Sequence, residues 1–84
     1  MFINKSPDGR NNICGAKIAK YRKALGKSQR ALADCLQLAG LDVDKNAIQR
    51  IESGQRFVTD IEIVCFAKVL DVSYEQLLQN DPEI

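Results

Sequence analysis

Eighty-four residues, 45% apolar and 27% charged, make one small globular domain with too little interior for a deep catalytic pocket. The chain has no histidine, and its three cysteines, Cys14, Cys35 and Cys65, stand 21 and 30 positions apart without a CxxC, so no metal site is expected and the thiols read as core or helix-face residues in a reducing cytoplasm. The net charge of +1 is sorted along the chain: residues 1–30 carry eight basic residues against Asp8, giving +7, and residues 31–84 carry four against ten acidic ones, giving −6.

A basic N-terminal part of this kind can turn a positive face to a polyanion. No stretch approaches the roughly 18 apolar residues of a membrane span, and residues 1–12 lack the apolar run of a signal peptide. The expected location is therefore the cytoplasm. There is no nucleophile with a base at motif spacing and no glycine-rich phosphate loop, so an enzyme is not expected and no cofactor is called for.

In chain order, residues 1–12 contain Ser6-Pro7-Asp8-Gly9 and Asn11-Asn12, which are turn and disorder signals. They read as a flexible N-terminal arm preceding a domain over 13–80, with 81–84 as a C-terminal tail. From Ile13 the periodicity becomes helical, with Cys14, Ile18, Tyr21 and Leu25 on one face and Gly26 as the stop. Ser28 caps a second helix whose apolar face is Leu32, Ala33, Cys35, Leu36 and Ala39, and Gly40 ends it. Leu41-Asp42-Val43 links to a third helix capped by Asp44, running through Ile51 and Glu52 to a stop at Gly54.

Residues 54–58 form a loop. Thr59 and Glu62 make the T-x-x-E capping box of a fourth helix, with an apolar stripe of Ile61, Val64, Cys65, Val69 and Leu70. The branched run VTDIEIVCF could pass for a strand, but the box and the 3–4 spacing favour helix. Ser73 and Gln76 open a fifth helix in the same way, turning Tyr74, Leu77 and Leu78 inward before Asn80-Asp81-Pro82.

Five short helices and no strand, with a helix-turn-helix pair in the middle, suit a DNA-binding domain. The residues go further. IAKYRKALGKSQ with Arg22, Ser28 and Gln29, then Leu32-Ala33, then Ala47-Ile48-Gln49-Arg50-Ile51-Glu52-Ser53-Gly54, and finally FAKVLDVSYEQLL resemble the phage-repressor-like family of helix-turn-helix domains, also called Cro-type or XRE-type. The likeness runs from about Ile13 to Leu78. It implies an all-α, compact five-helix, lambda-repressor-like fold with the helix-turn-helix formed by helices two and three. One departure stands out: between Gln29 and Ile48 the chain has about five residues more than the family spacing, within QLAGLD. That predicts a second helix about one turn longer and a wider connection after it.

The resemblance implies that residues 44–53 are the recognition helix. The spacing agrees: Ala47, Ile48 and Ile51 face the core, and Lys45, Asn46, Gln49 and Arg50 face outward. Lysine and arginine suit guanine acceptors, and asparagine and glutamine can pair with adenine. Ser28, Gln29 and Arg30 at the start of helix two are expected on DNA phosphate: the resemblance implies a backbone contact for Gln29, helix N–H groups attract phosphate there, and Ser28 can do this while also serving as the plain cap. Ser53, Gln55 and Arg56 are placed on phosphate after the recognition helix. Arg22 and Glu52 resemble the family's structural ion pair.

The function implied is a sequence-specific, repressor-like transcriptional regulator of prokaryotic or phage type. It would bind double-stranded DNA as a homodimer, without a membrane partner or small-molecule effector. The alternative is a protein-interaction module or antitoxin-type component that keeps the fold with weak or no DNA binding. Asp42 and Asp44, at the front of the recognition helix, and the low net charge favour that alternative. Helix five with residues 79–84 is the expected dimer surface.

Overall fold

The computed structural model describes Lys5 and residues 9–79. Five helices follow one another: α1 Gly15–Ala24, α2 Gln29–Leu38, α3 Lys45–Glu52, α4 Asp60–Leu70 and α5 Tyr74–Leu78. No strand occurs among the described residues. Four of the helices begin where a side-chain oxygen can accept an otherwise orphaned backbone N–H. Ser28 accepts from Ala31 N–H, Asp44 from Ala47 N–H, Thr59 from Glu62 N–H and Ser73 from Gln76 N–H. At Thr59 and Ser73 the capping box is complete, because Glu62 and Gln76 accept in return from the cap's own N–H. At α1 the N-cap residue Cys14 makes no side-chain cap bond, and Asn12 Oδ1 accepts from Gly15 N–H.

α3 packs against both α1 and α2, while α4 braces α1, α2 and α5 from behind. Ile18 of α1, Leu32 and Leu36 of α2, Ile48 and Ile51 of α3, Phe66 of α4 and Leu77 of α5 meet in the centre with no exposed surface. Val43, from the linker, is buried with them. Every helix thus contributes at least one fully buried side chain. For a domain this small, each such residue contributes about 1.5–3 kcal/mol of transfer free energy.

The apolar faces differ from expectation in four places. Leu25 is half exposed, because α1 stops at Ala24 and the chain turns at Gly26, whose φ of 71° is the left-handed conformation that ends the helix. Ala39 is exposed because it is the C-cap of α2. On α4 the buried positions are Glu62, Phe66, Ala67 and Leu70, whereas Ile61 is 70% and Val64 49% exposed. The phase is set by Glu62, which the capping box and an ion pair hold inward, so that 62, 66 and 70 form the inner ridge and 61, 64 and 68 the outer one. α5 docks by Leu77 alone, leaving Tyr74 54% and Leu78 42% exposed, since five residues make little more than one turn.

The wide connection after α2 is folded back on its helix. Gly40, at φ 97°, lets Leu41 N–H donate to Leu36 O at 2.9 Å, and Gln37 Nε2 donates to Val43 O at 2.8 Å. α2 itself is 10 residues long and ends at Leu38, which is exposed.

The last part of the expected arm is not an arm. Arg10, Asn11 and Asn12 are hydrogen-bonded to the C-terminal end of α3 and the loop after it. Of the rest of it, Lys5 and Gly9 are exposed and residues 1–4 and 6–8 lie outside the described residues, as do residue 80 and the expected tail over 81–84.

Candidate nucleic-acid interface

α3 is held by its apolar side and by both ends. Ile48 and Ile51 are fully buried, and Ala47 packs against the same core. Lys45, Asn46, Gln49 and Arg50 are all exposed. At 100° per residue these four occupy an arc of roughly 140°, opposite the isoleucines. The sequence-expected reading face is therefore assembled on one side of one helix. Asp44 accepts from Ala47 N–H at 2.8 Å, which ties its carboxylate to the helix start. Asp42 is exposed beside it.

The end of α3 is fixed by a charged cluster. Arg22 Nε donates to Glu52 Oε2 at 2.7 Å and Arg22 Nη2 to Glu52 Oε1 at 3.0 Å. Both side chains are about nine-tenths removed from solvent. Arg22 Nη1 also donates to Lys27 O at 2.8 Å, so α1, the α1–α2 turn and α3 meet on one guanidinium. The hydrogen bonds to Glu52 raise the Arg22 pKa further, against an opposing effect of burial. Gln29 joins the cluster, its Nε2 donating to Glu52 Oε1 at 3.0 Å. Its side chain, which the resemblance placed on DNA, thus holds the start of α2 to the end of α3.

The other residues expected near phosphate divide in the same way. Ser28 Oγ is the α2 cap, and Arg30 is exposed at the first turn of α2. Ser53 Oγ donates to Arg50 O at 3.1 Å, and Gln55 is exposed. Arg56 grips Glu62 with both ends of its guanidinium, Nη1 to Oε1 at 3.0 Å and Nη2 to Oε2 at 2.8 Å. Burial pushes the Glu62 carboxyl upward, but the Arg56 guanidinium and the Thr59 N–H outweigh it and hold its pKa below the ordinary value. The resemblance placed Arg56 on phosphate, and its guanidinium is instead engaged by Glu62. The one local signal for the pairing was Glu62 itself, a capping-box acid six residues on.

Cys14 is buried and its thiol is pushed up to about 11 by desolvation, which suits a core residue rather than a reactive one. Among the described residues no cluster of potential metal ligands occurs, and no helix is long and apolar enough to cross a membrane.

With this geometry, the helix-turn-helix family model matches residues 18–77, most of the chain. The chain belongs to the Cro/C1-type helix-turn-helix family. Among solved structures it is similar to the restriction-modification controller protein C.AhdI from Aeromonas hydrophila, with 30% sequence identity and a TM-score of 0.66. That likeness covers 75% of this chain and 84% of the other. None of the curated protein sequences matches significantly. Membership in this family makes the chain a DNA-binding regulator of transcription, and the protein-interaction alternative is not favoured.

Proposed function

We propose that this regulator reads duplex DNA with α3 in the major groove and acts as a repressor-like homodimer in the cytoplasm. The observation that carries the reading is the outward face of α3: four side chains able to pair with base edges, on a helix whose opposite face is sealed into the core. Arg50 and Lys45 match the O6 and N7 acceptors of guanine, and Asn46 and Gln49 can pair bidentately with adenine. The start of α2 contributes its backbone N–H groups with Ser28, Gln29 and Arg30, and the loop after α3 contributes Ser53, Gln55 and Arg56. Gln29 and Arg56 act there mainly as braces, because Glu52 and Glu62 already hold their polar ends. Arg30 is the more available cation, being exposed and in no ion pair among the described residues.

Two half-sites about one helical turn apart would each take one α3. For the dimer surface, Leu77 is unavailable because it is fully buried. The exposed apolar residues Ile61, Val64, Tyr74 and Leu78 on α4 and α5 supply the surface instead. The test is selection from a random duplex pool at moderate salt, repeated with Arg50→Ala. A palindrome that loses preference at one position per half-site supports the reading, with about 1–3 kcal/mol lost there. No enrichment, with weak binding that vanishes as salt rises, refutes it.

A further inference from the structure

Resting on that reading, we propose that Arg10, Asn11 and Asn12 form a strap that sets the tilt of α3, and that Asn12 is its central positioning residue. Asn12 joins two elements at once. Its Oδ1 accepts from Gly15 N–H at the start of α1 at 2.8 Å, and its Nδ2 donates to Ile51 O at 3.0 Å and to Arg56 O at 2.8 Å. Asn11 N–H donates to Gly54 O at 2.8 Å and Asn11 Nδ2 to Gln55 O at 2.9 Å. Arg10 Nη2 donates to Glu52 O at 2.6 Å. The carbonyls at the end of a helix have no partner within it. Here the carbonyl of Glu52 and the loop carbonyls of Gly54, Gln55 and Arg56 receive theirs from three consecutive residues, and that of Ile51, which accepts from Gly54 N–H at 3.1 Å, gains a second donor in Asn12. The guanidinium of Arg10 also places positive charge at the negative end of the helix dipole.

The fit leaves no room on either side. A Cβ at Gly15 would overlap Ile51 O, and one at Gly54 would come within 2.8 Å of the Arg10 side chain. The strap precedes residues 18–77, so it lies outside the part matched by the family model. The same chain has the wide connection between α2 and α3, which fastens only the N-terminal end of the recognition helix, through Gln37 and Val43. With Ile48 and Ile51 sealed in the core, the start of α3 is fastened through Val43, and its end is shared between the strap on the backbone carbonyls and the Arg22–Gln29 cluster on the Glu52 carboxylate. An eight-residue helix is a lever about 12 Å long. Moving its C-terminal end displaces Gln49 and Arg50 most and Lys45 least.

The experiment uses the full chain with Asn12→Ala and, because that variant could fail to fold, Arg10→Met, which leaves every Asn12 contact in place. Both are studied well below their own melting temperatures. Residual dipolar couplings of the DNA-free protein read the angle of α3 against α1 and α4. A change of about 10° or more, the tolerance of a built site, is expected. The second readout is the affinity ratio between the best selected duplex and a random duplex. It should fall about tenfold, with the loss concentrated at the base positions read by Gln49 and Arg50, while random-duplex binding stays within about twofold. A uniform weakening on both duplexes, an unchanged angle, or a changed angle with an unchanged ratio would each overturn the proposal. If the unaltered protein prefers no duplex, the base-reading assignment fails, and the couplings alone still decide whether the strap sets the helix.

Discussion

Removal of the Arg22 guanidinium by Arg22→Ala perturbs the most buried charge pair described in the protein. The wild-type side chain makes three hydrogen bonds, two to Glu52 at 2.7 and 3.0 Å and one to Lys27 O at 2.8 Å. After truncation the Glu52 carboxylate, with its side chain 9% exposed, keeps only Gln29 as a side-chain partner. An uncompensated buried charge of this kind costs about 3–5 kcal/mol. Single domains have about 5–15 kcal/mol in total, and one this small belongs near the lower end. At about 4–8 °C per kcal/mol, the melting temperature should drop by more than about 10 °C. Thermal and urea unfolding followed by circular dichroism measure it directly. Glu52→Gln on top of Arg22→Ala should recover part of the loss, because the stranded charge is gone. An unchanged melting temperature in Arg22→Ala, or a double variant that is worse by the full sum of the singles, would refute the reasoning.

The Arg56–Glu62 pair gives stability a pH dependence. Because the folded Glu62 pKa lies below its ordinary 4.5, its contribution is fully present above 4.5 and disappears as pH falls through the folded value. Urea midpoints of wild type should therefore fall more steeply on acidification than those of Glu62→Gln, and parallel curves would contradict the assignment. Gly15→Ala forces a methyl group onto the Ile51 carbonyl and should destabilise by about 1–3 kcal/mol, although alanine is the better helix former. A stabilised Gly15→Ala protein would show that α1 and α3 are not in close contact. Tyr74→Glu places a charge in the exposed α4–α5 face and should lower the dimer fraction in sedimentation equilibrium without lowering the melting temperature of the monomer. Unaltered self-association would move the dimer surface elsewhere.

The helix starts and the two faces of α3 were legible in the sequence because their causes are local. A cap acts over three residues, so Ser28, Asp44, Thr59 and Ser73 could be picked out by spacing, and each accepts its N–H where expected. Ile48 and Ile51, three apart among polar neighbours, allow one orientation of the helix. Arg22 with Glu52 came from resemblance alone, since nothing in the spacing pairs residues so far apart. The phase of α4 was not legible. Apolar residues run unbroken from Ile63 to Ala67, so several stripes satisfy the periodicity equally. The inward Glu62 decides among them, and it points inward because of Arg56, Thr59 and the body of the protein.

What the sequence by itself determined was the set of helices, their boundaries to within a residue or two, and the outward polar face of α3, all consequences of interactions within one turn. What only the tertiary structure decided was which long-range partners the polar side chains take. Gln29 turns to Glu52 and Arg56 to Glu62, and Asn11-Asn12, which locally signals a turn, serves as the strap across the end of α3. An amide or guanidinium can satisfy its hydrogen bonds with water, phosphate or a distant carbonyl. The residue type is the same in each case, and only the packing of α1 against α3 brings the carbonyls of Ile51 and Arg56 within reach of Asn12.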